Sequence, residues 1–363
     1  MDLCRHTGWL RLSKRDAAYE IEVSDRADRL LGGLTQSDRL PTNFTVMIGN
    51  RVKALTLQRL GVTHTSVGGR RGHGEVHLCA PPLGRQAGRP LVVADADMPL
   101  HNRIGRRKTP SSCHEASAYC FSPFYYTQRY ANTLEAVDHV YHRLLLPFAD
   151  MVCIFADDIG GTGKVAQRVA AWLDMGRPST SISRPWLVIV VDDGAEEQVL
   201  ASFRESLRTM TSVDISQSFE SVRIVSLAGK MGKTRFSQKL VGPAAYSRLE
   251  RELALMLKNT CMQRELCSSL FSAWHLNCFL HYAAATLGHV TAVPFDFVRA
   301  SRNANPVAGD LDMHIQNFLS AFNTTVDIQR VAIPMLASSL LLDHYPPGMH
   351  RKLSFGVSFN YSH

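Results

Sequence analysis

The chain's apolar positions fall into two rhythms, and the change between them divides it. From Phe44 to Leu227 short β-favouring runs alternate with longer stretches of helical period. The runs are Phe44–Ile48, Glu75–Cys79, Leu91–Ala94, Met151–Phe155, Trp186–Val191 and Val222–Leu227. Between them, Arg51–Leu60, Val165–Leu173 and Ala195–Met210 read as helices, as does Ala131–Leu146, with apolar positions 134, 137, 140, 141, 144 and 145 on one face. Strands separated by helices of this length predict an α/β fold, a three-layer sandwich around a mostly parallel sheet. From Pro243 the text turns helical, with segments near 244–259, 262–287, 307–322 and 331–342. The expected organisation is a leader at 1–42 too rich in charge and turn formers to pack well, an α/β domain at 43–242, a helical annex at 243–350 packed on it, and a tail at 351–363.

Several of the strands end in acids. Leu91-Val92-Val93-Ala94 runs into Asp95 and Asp97, Asp157-Asp158 follows 151–155, and Asp192-Asp193 follows 186–191. Loops at the carboxyl ends of parallel strands are where ligands bind in open α/β sheets. Aspartate is also common there because it caps the next helix, so the recurrence fits either an acidic rim or ordinary capping.

A phosphate cradle would need a strand, a G-x-x-x-x-G-K-[ST] loop and a helix, because consecutive backbone N–H groups wrap the phosphates while lysine neutralises them. Three stretches imitate it. Gly49, Asn50, Lys53 and Ala54 stand between a strand and a helix, without the second glycine and with alanine for the hydroxyl. Gly163-Lys164 has Asp158 at the first glycine position and Val165 for the hydroxyl. Gly232-Lys233-Thr234 follows a strand with Leu227 at the first glycine position. The first has the best placement, because Asp95 or Asp97 on a strand some forty residues later would hold magnesium through water opposite it. The cofactor so implied is GTP or ATP with magnesium.

Composition narrows the remaining classes. Lys and Arg number 40 against 32 for Asp and Glu, but the excess is dispersed apart from Arg103, Arg106, Arg107 and Lys108, so nucleic acid is not an expected partner. Eight scattered cysteines contain no C-x-x-C pair, which suits reduced thiols in a cytoplasmic protein rather than a zinc module or disulfide framework. No apolar run reaches membrane-spanning length. Cys113-His114-Glu115 reads as a chance trio in a loop, and His275, His281 and His289 lack metal-ligand spacing. The apolar Leu270–Leu287 segment offers a surface for a protein partner.

Four phrases in one order carry a family likeness: Arg89–His101, Leu144–Asp150, Pro294–Arg302 and Leu342–His350. Together they resemble the region upstream of the lipase domain in large fungal patatin-like phospholipase proteins, over roughly residues 43–350. The resemblance implies a P-loop-NTPase-like fold, often with an eroded nucleotide motif, followed in the family by a patatin domain. Gly68-Gly69-Arg70-Arg71-Gly72 imitates that domain's oxyanion loop and Asp193-Gly194-Ala195 its aspartate motif, yet no G-x-S-x-G elbow lies between them. Gly356-Val357-Ser358-Phe359-Asn360 lacks the last glycine and comes after the aspartate. Lipase activity is therefore not expected. The resulting expectation is a non-catalytic or weakly nucleotide-binding domain with a regulatory or scaffolding role. The alternatives are an active GTP or ATP hydrolase and a structural interaction module.

Overall fold

In a computed structural model the described residues are 7–15, 18–34, 37, 40–62, 74–81, 89–98, 114–121, 133–227, 243–267, 269–287, 293–304, 306 and 309–343. Nine strands form one sheet. In chain order they are β1 (Gly8–Arg15), β2 (Ala18–Ser24), β3 (Asn43–Ile48), β4 (Glu75–Cys79), β5 (Leu91–Ala96), β6 (Ala116–Phe121), β7 (Met151–Phe155), β8 (Trp186–Val191) and β9 (Val222–Ser226). Their spatial order is β6-β2-β1-β4-β5-β3-β7-β8-β9. The five strands from β5 to β9 in this order run parallel, and every other pairing is antiparallel. The fold is thus α/β with a mixed sheet, not the mostly parallel one expected.

The expectation of a poorly packed leader at 1–42 is corrected here. β1 and β2 form an antiparallel hairpin inside the sheet, and α1 (Arg26–Gly32) packs beside them. Trp9, Leu10, Leu12, Tyr19, Ile21 and Val23 are buried in the main core. The cause is visible in Tyr19-Glu20-Ile21-Glu22-Val23, a strict alternation of apolar and charged residues that charge content alone hides. The opposite face is tied by Arg11, which pairs with Glu22 at 3.7 Å and Glu75 at 3.2 Å.

The sheet separates two cores. β3 shows why, since Phe44, Val46 and Ile48 face one core while Met47 faces the other. The larger core holds α3 (Thr133–Val140) with the π-helical turn Tyr141–Leu145 that continues it, α4 (Thr162–Asp174) and α5 (Glu196–Met210). The smaller is roofed by α2 (Arg51–Arg59) and α6 (Pro243–Leu266) through Leu57, Leu249, Leu253, Met256 and Leu257.

The helical third joins both cores. α6 lies on the smaller one, whereas α7 (Ala273–Thr286) and α8 (Phe297–Ala304) pack on the larger one. The long helix expected at 262–287 is broken at Ser272, whose hydroxyl caps α7 in a capping box with His275. Most apolar positions of α7, expected as a partner surface, are covered by this chain itself, while Trp274 is exposed. Leu276, Phe279, Leu280, Ala283 and Ala284 are buried in this chain's own core. Phe279 sits in an aromatic cluster with Phe148, Phe295 and Phe297, at ring separations of 4.8 to 6.2 Å. α9 (Leu311–Ser320), α10 (Thr325–Asp327) and α11 (Ile333–Asp343) complete the described α-helices.

A buried ion pair fastens the third to the sheet. The Asp150 carboxylate accepts the Phe44 amide at 2.7 Å and meets Arg264 Nε at 2.6 Å. Arg264 also donates to the carbonyls of Phe148 and Ala149, each at 3.1 Å.

If the first forty residues are part of the core, truncating Trp9 to alanine must leave a cavity in it. The expected loss is about 3–5 kcal/mol of unfolding free energy. Chemical denaturation of Trp9→Ala measures this, and a change below about 1 kcal/mol would return the segment to a loosely packed leader.

Candidate functional site

The carboxyl ends of β3, β5 and β7 converge, and the acids and the lysine singled out in the sequence meet there. β3 ends at Ile48, and the chain turns through Gly49 and Asn50 into α2. Gly49 is dictated by space: a Cβ there would lie 2.8 Å from Asp158 Oδ2 and 2.9 Å from the Phe155 Cβ. Asn50 occupies the N-cap position, but its side chain makes no capping bond.

The cap comes from another strand. Asp158, in the short 3-10 turn after β7, turns its carboxylate onto the start of α2. It accepts the amides of Asn50 at 2.7 Å, Val52 at 2.8 Å and Lys53 at 2.9 Å. Asn50 Nδ2 closes the contact from the other side by donating to the Asp158 carbonyl at 3.3 Å. Unpaired N–H groups and the helix dipole make such an end a receptor for anions. Here the anion is a side chain of the same protein.

The Lys53 side chain is spent in the same way. It is fully buried and reaches from α2 to the end of β5. There its Nζ donates to the Ala96 carbonyl at 2.7 Å and pairs with Asp95 Oδ1 and Asp97 Oδ1, each at 2.7 Å. Asp95 is fully buried and Asp97 nearly so. Two hydrogen bonds and a second close carboxylate thus surround the ammonium, the kind of compensation a charge needs in order to be carried inside a protein. Tyr141, from the π-helical turn, donates its hydroxyl to the Asp97 carbonyl and holds the end of β5 against the larger core.

The structure therefore brings Gly49, Asn50, Lys53, Asp95 and Asp97 together. Ala54 lies in the first turn of α2, its amide bonded to the Asn50 carbonyl at 3.0 Å, so it contributes backbone only. Gly232, Lys233 and Thr234 lie outside the described residues, as do Cys113, His289, Gly68 to Gly72, the basic run at 103–108 and the tail from 351. The other strand-end acids do not gather into a rim. Asp157 accepts the Asp192 amide at 2.7 Å, stapling the ends of β7 and β8, and Asp193 accepts the amide of Gly194 at 2.9 Å. Among the described residues no group of histidine, cysteine and acidic side chains could hold a metal ion. His275 is a buried helix cap, and His281 pairs with Asp28 at 2.9 Å across the α1–α7 contact.

Asp158 is the functional residue that sequence reasoning misplaced. It stood in the sequence as a defect in a different loop, the one leading to Lys164. The available signal was its position directly after an apolar strand, where an aspartate caps a helix; that the helix is α2 and not the next one needed the strand order.

A second buried polar group stands behind the site. Asp138 accepts from Arg168 at 2.6 Å and from the Trp172 indole at 3.0 Å, and burial pushes its carboxyl up to about 7. Burial, with Arg143 nearby, holds His142 down at about 3 and His139 at about 4, and burial alone holds His275 at about 4. His142 donates Nε2–H to the Gly176 carbonyl at 2.9 Å, so Nε2 is the nitrogen that carries the proton in its neutral form.

No protein-family model and no curated protein matches this chain. Among solved structures, a siderophore hydrolase, EstA from Aspergillus nidulans, is similar over 69% of this chain and 94% of its own, at 10% identity and a TM-score of 0.26. A likeness of that size carries no argument about fold or function. Among the described residues no helix is long and apolar enough to cross a membrane.

Two measurements follow from this geometry. Replacing Lys53 by methionine strands two buried carboxylates, so stability should fall by about 3–5 kcal/mol. Much of it should return in Lys53→Met/Asp95→Asn/Asp97→Asn, and equal losses in both variants would show that the charges do not interact. The imidazoles set the second outcome. Their folded values lie below the ordinary 6.5, so their contribution is lost as pH falls from about 6.5 towards about 4. Asp25, held below its usual range despite burial by His114 and Arg29, acts in the same sense over the carboxylate range, whereas Asp138 and Asp150, both raised by burial, oppose it. Denaturation midpoints should be lower at about pH 4 than at about pH 6.5, and His142→Phe should flatten the dependence.

Proposed function

We propose that this chain is a non-catalytic domain of P-loop ancestry that serves a regulatory or scaffolding role, in the manner of the region upstream of the lipase domain in fungal patatin-like proteins. The observation that carries the reading is the Asp158 carboxylate on the amides of Asn50, Val52 and Lys53. In a working cradle those donors face phosphate and the lysine faces the terminal phosphates. Here the donors face Asp158, and Lys53 is held between Asp95 and Asp97.

The strand arrangement supports the ancestry. β3, which would carry the phosphate loop, is central and parallel to its neighbours, with acid-tipped β5 on one side and β7 on the other. The crevice beyond the carboxyl ends of such strands is the usual ligand position in open sheets. Asp95 and Asp97 stand where magnesium-holding acids would stand, and the Lys53 ammonium supplies the positive charge that the metal would otherwise supply.

For nucleotide to bind, a polyphosphate would have to displace Asp158, and the displaced carboxylate and the incoming phosphates would share one crevice. Repulsion between like charges in a poorly solvated space disfavours that arrangement. Weak binding of GTP or ATP with magnesium is the second reading, favoured by the retained glycine turn and by a lysine in the first turn of α2.

Calorimetric titration with GTP and ATP, with and without magnesium, separates the readings. The folded wild-type chain should give no saturable heat at millimolar nucleotide, while Asp158→Ala should gain binding of inorganic phosphate or nucleotide that Lys53→Ala does not. Saturable micromolar binding by the wild type, lost in Lys53→Ala, would sink the non-catalytic reading.

A further inference from the structure

Among the described residues β6 forms one margin of the sheet, and the strand itself carries none of the devices that usually keep an edge from pairing. Its inner edge pairs with β2 over six consecutive residue pairs, from Tyr19 with Phe121 to Ser24 with Ala116, with no bulge to twist the strand away. The strand reads Ala116-Ser117-Ala118-Tyr119-Cys120-Phe121, without a charge or a proline. Ala116, Ser117, Ala118 and Cys120 are exposed, and among the described residues no strand lies beyond it. The opposite margin differs. β9 carries an exposed Arg223 that pairs with Glu252 at 3.6 Å, a charged edge of the protected kind.

We propose that the outer edge of β6 pairs antiparallel with the β6 of a second copy of this chain, joining two sheets across a twofold axis. The choice of a second copy rests on self-complementarity. With the axis at Ala118, Ala118 faces its own counterpart, Ser117 faces Tyr119 and Ala116 faces Cys120, so no charge meets a like charge along the strand. Tyr119 packs against the larger core, which places Ser117 on that same face. Ala116, Ala118 and Cys120 then share the other face, where small side chains meet their cross-strand neighbours without crowding. A strand meeting its own copy in this way gives a closed, isologous dimer and leaves β9 as the margin at both ends.

Sedimentation or light scattering of the full-length chain tests this, with a mass of twice 40.4 kDa expected at micromolar concentration. Ala118→Lys puts two ammonium groups face to face on the axis and should give a monomer with an unchanged far-UV spectrum. A wild-type monomer overturns the proposal, and so does a dimer of undiminished stability in folded Ala118→Lys. Should that variant fail to fold, Ala118→Cys in a Cys120→Ser background decides. Oxidised glutathione should link two copies through residue 118, and the absence of a reducible dimer band overturns the pairing.

Discussion

The turn from β3 into α2 depends on a carboxylate that arrives from elsewhere in the chain. A helix entered from a strand leaves several amides unbonded, and an N-cap side chain normally takes one of them. Asn50 does not do so; Asp158 takes three amides, from a residue more than one hundred positions away. The contact therefore does more than cap. It fixes the end of β7 against the end of β3, sets the start of α2, and so determines where Lys53 enters the sheet. Lys53 in turn fixes the end of β5 through Asp95, Ala96 and Asp97. Three neighbouring strand ends are held by two side chains, each carrying charge into a place that could otherwise receive a ligand's charge.

Such an arrangement has a cost that explains its detail. Burying the Lys53 ammonium in a medium that opposes charge is costly, and the two acids held 2.7 Å from it offset that cost. The Ala96 carbonyl adds a neutral acceptor for the ammonium. Asp158 is compensated differently, by amide dipoles and the helix rather than by a cation. The two acids at the end of β5 and the acid after β7 are thus not equivalent, although each stands at the end of an apolar run.

Much of this was legible before any coordinates. The runs at 44–48, 91–94, 151–155, 186–191 and 222–227 become β3, β5, β7, β8 and β9, because β-branched and apolar residues in short uninterrupted blocks suit strands buried on both faces. Gly49, Lys53, Asp95 and Asp97 were legible as neighbours, since strand ends gather whatever the loops carry. What escaped was what depends on pairing across long separations. β1 and β2 were masked by Arg11, Glu20 and Glu22, charged residues that make sense only once they alternate with a buried face. β6 was masked by its small residues, which signal neither strand nor helix. Asp158 was read against its own sequence neighbours, and its partners lie on α2. Phe148 and Phe295, far apart in the sequence, meet edge to face at 4.8 Å.

The Asp150–Arg264 pair has a bearing on how the chain is made. The Asp150 carboxylate that receives the Phe44 amide is itself neutralised by a residue over one hundred positions later. As the chain leaves the ribosome, the strands from β3 to β8 emerge with that acid lacking its cation, and the smaller core lacks the roof that α6 provides. Contacts of such long separation form slowly, and an α/β sheet with one bare face exposes apolar surface while it waits. Completion of the sheet is thereby tied to synthesis of α6, so that the last third of the polypeptide acts as the closing step of the first two.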